Sequence, residues 1–171
     1  MGEEVAVPAG RFVAAHLSSR QVSRVVYGSI IGLALVVALE AQPPPPGAVI
    51  ASLLGTAVAV ALAELYSELV GFETIRHRKA RAAELRHLGA DIAAVAFGIA
   101  FPALFFLLAA VGSLNTETAF TVAKWTGLVL IGVYGFAGAR LSGAGLATSL
   151  IQAAAVALIG AALIALKSLV H

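Results

Sequence analysis

Two glutamates one helical turn apart, Glu64 and Glu68, stand inside an otherwise apolar stretch from Val49 to Val70. An ionisable side chain within a membrane span costs on the order of 2.5 to 3.5 kcal/mol, so it faces a bundle interior and marks an ion path, a proton relay or a charge pair. Desolvation disfavours the charged form of a carboxylate, which suits reversible protonation. Glu64 and Glu68 are therefore the candidate ion- or proton-binding residues. Where Glu64 pairs with a hydroxyl, an amide or a basic side chain of another helix, Gln152 in the fifth apolar stretch is a reasonable candidate. Lys124 is a poor one because it falls at the opposite mouth.

A second set of chemistry-bearing residues lies just beyond Val70. Glu73 and His77 are spaced i,i+4 and Glu84 and His87 i,i+3, so each pair can share a helix face. Glu-x-x-His is a spacing used by carboxylate-bridged metal sites in bundles, which makes these four the candidate ligands of a divalent cation. The same residues are surrounded by Arg76, Arg78, Lys79, Arg81 and Arg86, and the competing reading is a solvated helix with Glu to His or Arg pairing. The basic residues themselves read as contacts to anionic lipid rather than to nucleic acid. Catalysis finds no support: no Gly-rich phosphate loop, no His-Glu-x-x-His helix and no Ser, His and Asp set is present, and Asp91 reads as a helix start. The chain contains no cysteine, so thiolate and disulfide chemistry are excluded.

The elements that must position these residues are membrane helices. Sixty per cent of the residues are apolar and 12 per cent are charged, about half the charged share of a soluble domain. Five apolar stretches cover residues 25–41, 49–70, 92–111, 120–138 and 146–166; all but the short first one reach across a hydrocarbon layer of about 30 Å. Pro43 to Pro46 end the first, and Pro102 should kink the third. Residues 72–88 contain no proline or glycine and predict a short basic interfacial helix that continues span two and is broken at Gly89. The fold class expected is an all-α integral membrane bundle of five transmembrane helices in a single domain. Gly28 and Gly32 in span one, and the row Gly132, Gly135 and Gly138 in span four, are the expected close-contact faces.

Basic residues set the orientation. Arg11, Arg20, Arg24, the five of the loop between spans two and three, and Arg140 fall on one side; only Lys124 and Lys167 fall on the other. The asymmetry places the N-terminus in the cytoplasm and the C-terminus outside, in the plasma membrane by default. No cleavable signal peptide is expected, since Met1 to His16 lack an apolar core.

Three stretches resemble the vacuolar iron transporter family. Arg24-Val25-Val26-Tyr27-Gly28-Ser29-Ile30-Ile31-Gly32-Leu33 is similar to that family's opening of span one, Ala63-Glu64-Leu65-Tyr66-Ser67 to its Gly-Glu-Tyr-x-Ser ending of span two, and Gly138-Ala139-Arg140-Leu141 to the end of its span four. The resemblance implies five spans with a helical insert after the second, and a cation-binding carboxylate at Glu64. Where the family carries a span-one aspartate this chain has Ile31, where it carries a methionine one turn before the span-two glutamate this chain has Val60, and the insert is short and rich in arginine rather than glutamate. Only Glu64 carries over from the ligand set.

Two readings follow. One is a small cation- or proton-coupled transporter, a homodimer because one chain supplies too few ligands, with Glu64 and Glu68 as its carboxylates. The other is a non-transporting membrane scaffold or partner-binding protein, in which Glu64 pairs with a hydroxyl, an amide or a basic side chain of another helix.

Overall fold

A computed structural model describes residues 19–76 and 82–170 of the chain, and every regular element among them is helical. Six helices follow in order: α1 Ser19–Leu39, α2 Pro46–Arg76, α3 Ala82–Ala100, α4 Ala103–Ala110, α5 Thr116–Leu141 and α6 Leu146–Val170. Their ends are written in the sequence. Pro46 opens α2 at a position where a proline's missing N–H costs nothing. Asn115 caps α5 by accepting from the Thr118 amide at 2.7 Å. Gly112 (φ 79°) and Gly143 (φ 83°) adopt left-handed backbone after α4 and α5, and the next residue reaches back to close the helix end: Ser113 N–H to Leu108 at 2.9 Å and Ala144 N–H to Ala139 at 3.1 Å.

Three helical stretches, Gln21–Leu39, Pro46–Phe72 and Thr116–Leu141, are long and apolar enough to cross a bilayer. Leu85–Ala100 and Ala103–Ala110 make a fourth if the pair is one span, bent by 47°. The bend falls at Phe101-Pro102, the kink expected from the proline, and Phe101 still donates to the Phe97 carbonyl at 2.8 Å. The fifth apolar stretch forms α6, which is apolar over at least Leu146–Ala162. These helices fit an integral membrane protein.

The helical continuation of span two expected after Phe72 is present as far as Arg76, but the break expected at Gly89 is not. Residues up to Arg76 prolong α2, and Ala82 to Leu88 already belong to α3, which runs through Gly89 without a break. One glycine costs a helix interior only about 1 kcal/mol, less than the packing that continues beyond it. Asp91, expected at a helix start, accordingly lies mid-helix and buried.

α1 is the central helix, touching α2, α3, α5 and α6. Its closest neighbour is α3. A Cβ added to Gly28 would stand 2.1 Å from the Val95 carbonyl oxygen, one on Gly32 2.9 Å from that of Ile99, and one on Gly98 2.6 Å from both the Ser29 nitrogen and the Val25 oxygen. Backbones in such contact can exchange Cα–H to carbonyl interactions. The row Gly132, Gly135 and Gly138 behaves differently from the expectation. A Cβ added to Gly132 would meet nothing within 4 Å, one on Gly135 would stand 3.5 Å from Ala153 Cα in α6, and one on Gly138 3.1 Å from a Val22 methyl in α1. Three-residue spacing falls about 60° short of a full turn at each step, so the row winds around α5 instead of forming one face.

Apolar packing fills the rest. Phe106 and Phe120 meet edge to face at 4.7 Å between centroids, with Val36, Val49 and Leu53 around them. Leu33, Val37 and Ile131 join α1 to α5, and Ala57, Val95 and Ile99 join α2 to α3.

Candidate functional site

The parallel crossing of α1 on α3 fixes the register at one end of the bundle. Gly28 faces Val95 and, one turn on, Gly32 faces Ile99. One turn back, the same register sets Arg24 against Asp91, whose charge acts on the guanidinium. α2 runs antiparallel beside them and brings Glu64 and Glu68 to the same level. Arg24 Nη1 donates to Glu64 Oε2, and its Nη2 donates to Glu68 Oε1 at 2.8 Å. The two carboxylates are held through separate nitrogens of one planar guanidinium, an arrangement open to arginine and not to lysine.

Solvation of this cluster is intermediate. The side chains of Arg24, Glu64 and Glu68 are 20, 21 and 33 per cent exposed, so the group is neither in bulk water nor dry. Three carboxylates (Glu64, Glu68 and Asp91) act on Arg24, which itself carries a single positive charge. Glu64 thus faces the bundle, as expected, while its partner is Arg24 and not Gln152. Gln152 is exposed on α6, because the residues around it turn the α6 contact toward α5 through Ala153 and Val156. Arg24, read from the sequence only as a topogenic charge, is the residue that organises the site.

A second ion pair stands at the other end of α1. Lys124 Nζ donates to Glu40 Oε1 at 2.6 Å, linking α1 to α5, with both side chains about one-fifth exposed. Arg24 and Glu40 are separated by roughly 24 Å along the helix at 1.5 Å per residue. The central helix is therefore tied to α2 at one end and to α5 at the other.

Among the candidate cation ligands, His87 is exposed; the side chains of Glu73, His77 and Glu84 lie outside the described residues. Arg86 is exposed, and the side chains of Arg76, Arg78, Lys79 and Arg81 likewise lie outside them. Among the described residues no three His, Cys, Asp or Glu side chains gather in a way that could hold a metal ion. Ser29 Oγ, buried where α1 meets Gly98, has no hydrogen-bond partner among the described residues. Comparison of the chain with protein-family models, with curated proteins and with solved structures finds no match.

Proposed function

We propose that the chain is a five-span protein of the plasma membrane, N-terminus cytoplasmic and C-terminus outside, and that Arg24, Glu64 and Glu68 form the proton-responsive site of a small proton- or cation-coupled transporter. One observation carries the reading: Glu64 and Glu68 converge on a single guanidinium that also feels Asp91, in surroundings only partly open to solvent. Such a cluster gathers carboxylates in a place where charge is costly to solvate, and a proton or a monovalent cation taken up there would compete with Arg24 for them. A divalent metal is less well served, because Arg24 occupies the place between the carboxylates and repels it. The resemblance of the Glu64 segment to the vacuolar iron transporters supports the carboxylate's role, and the loss of the family's other ligand positions to Ile31 and Val60 supports a change of substrate away from iron.

The homodimer of this reading would be built on α2. Leu54, Val58, Leu62, Tyr66 and Val70 form an exposed stripe on that helix, and Ala51, Gly55, Ala59 and Ala63 an exposed small-residue row beside it. A second reading, the non-transporting scaffold, is favoured by the pairing itself, since an arginine that satisfies both carboxylates also clamps α1 to α2.

Proteoliposomes with an entrapped pH indicator separate the two. On the transporter reading an imposed cation gradient moves protons in the wild type, and Glu64→Gln abolishes the movement while leaving the melting temperature within a few degrees. Wild-type vesicles as silent as protein-free ones, across monovalent and divalent cations and with or without a pH gradient, would leave the scaffold.

A further inference from the structure

α2 is held unevenly along its length. Its buried residues, Val49, Leu53 and Ala57, all lie toward the Pro46 end, the first two in the cluster around Phe106 and Phe120 and the third against Val95 and Ile99. From Val58 to Thr74 no described residue of α2 is buried. That stretch is about 25 Å of helix at 1.5 Å per residue, and it is where Arg24 takes hold of Glu64 and Glu68. In a bilayer the unevenness matters more than it would in water. Lipid is as apolar as the side chains it replaces, so a lightly packed helix face loses little on moving from protein to lipid. Charged partners drawn apart in hydrocarbon lose much more. The hold on this half of α2 therefore depends on Arg24, and the hold on the other half does not.

Protons can undo that hold. A proton arriving from the water phase on Glu64 Oε2 or Glu68 Oε1 turns a carboxylate acceptor into a neutral carboxyl, and the hydrogen bond from Arg24 loses its charge assistance. Arg24 is not then abandoned. Asp91, buried on α3, acts on the same guanidinium, and the backbone contacts of Gly28 with Val95 and Gly32 with Ile99 keep it in register with Arg24 wherever α2 goes. Of the other charged or titratable groups on the packed elements, α3 brings the exposed His87 one turn before Asp91 and the exposed Arg86, α5 brings the exposed Arg140 at the same end of the bundle, and α4 brings none.

We propose that Arg24 is a proton-released latch. With Glu64 and Glu68 ionised it holds the half of α2 beyond Ala57 against α1; when they take up protons, that half swings away about the packed Val49 to Ala57 segment, and Arg24 stays with Asp91. The movement opens the end of the bundle where the carboxylates lie. The inference rests on reading these carboxylates as proton-responsive, and it does not require that the protein transports anything.

The chain has no cysteine, so spin labels can be placed in pairs at introduced cysteines. Labels at the exposed Val70 and Leu141 report on the freed half of α2 against α5; labels at the exposed Leu54 and Val129 report on the packed half. Double electron–electron resonance on the full chain in lipid bilayers then compares pH about 7.5 with pH about 4, on either side of the ordinary glutamate range. The first distance should lengthen by about 5 Å, the displacement of a roughly 20 Å lever tilted by about 15°, while the second stays fixed. Glu64→Gln combined with Glu68→Gln should give the long distance already at neutral pH. Histidines also gain protons as the pH falls, so the shift must survive His87→Gln. A first distance that is unchanged by pH and by the double variant overturns the latch; if that protein still moves protons in vesicles, the transporter reading stands without it. Both distances changing together overturns it too, because α2 has then come away whole. A shift that His87→Gln abolishes assigns the response to another group and overturns it as well. The expected shift in a protein whose vesicles move no protons supports the latch and sinks the transporter.

Discussion

Replacing Arg24 by lysine and by glutamine takes the site apart in two steps of different size. Lysine keeps the charge but offers one nitrogen, so it can serve Glu64 or Glu68 fully, not both through separate atoms as Arg24 does. A hydrogen bond to a charged group is worth about 1.5 to 3 kcal/mol when well buried. Side chains 20 to 33 per cent exposed are screened by solvent, which reduces each bond here to about 1 kcal/mol. Arg24→Lys should then cost about 1 kcal/mol. Arg24→Gln removes both bonds and leaves Glu64, Glu68 and Asp91 without the common counter-charge, for a total of about 2 to 3 kcal/mol, below the 3 to 5 of a fully buried pair. Unfolding in mixed detergent micelles, followed by tryptophan fluorescence of the single Trp125, gives the ordering. Adding Glu64→Gln to Arg24→Gln should recover part of the loss, with a coupling energy of about 1 kcal/mol in the cycle. Wild-type stability in Arg24→Gln, or additive losses in the double variant, would refute the clamp and with it the register that places these residues.

Two further outcomes test the architecture. Gly28→Ala should be more damaging than any alanine in the α5 glycine row, because its Cβ would meet the Val95 carbonyl at 2.1 Å. Opening that to an ordinary contact of about 3.3 Å means prising two backbones apart by about 1 Å, a cost of about 1 to 3 kcal/mol or more; Gly132→Ala, which meets nothing, should be neutral in the same unfolding assay. For topology, a cysteine at Pro45 should react with a membrane-impermeant maleimide added outside whole cells, and one at Arg140 only after permeabilisation; the reverse labelling would invert the orientation.

The helices were largely legible from the sequence, because their signals are local. Apolar length gave α1, α2 and α5, and Pro102 gave the bend; the caps at Asn115, Gly112 and Gly143 are equally local but were seen only in the structure. What failed was the end expected at Gly89. A glycine there looked like a stop signal, yet Gly89 sits inside α3, since propensity at one residue is weak beside the gain from extending a packed helix. The α5 glycines misled for a related reason: their spacing was noticed and its angular drift was not.

The site was half legible. Glu64 and Glu68 were conspicuous because carboxylates are rare in apolar stretches, whereas Arg24 was lost among the basic residues that set topology, and Asp91 was read as a cap. Composition could not have separated Arg24 from Arg20 or Arg11, but spacing could. Arg24, Gly28 and Gly32 recur every fourth residue, so the close-contact face marked by the two glycines continues through the arginine. Asp91, Val95 and Ile99 recur at the same interval on α3, and the glycines meet the last two. A charge on the face that small residues reserve for backbone contact is not free to point at lipid or water. It must be answered by the helices that close over it, and α3 and α2 answer it with Asp91, Glu64 and Glu68. The same face that brings α1 closest to α3 therefore also decides where charge can be kept inside the bundle.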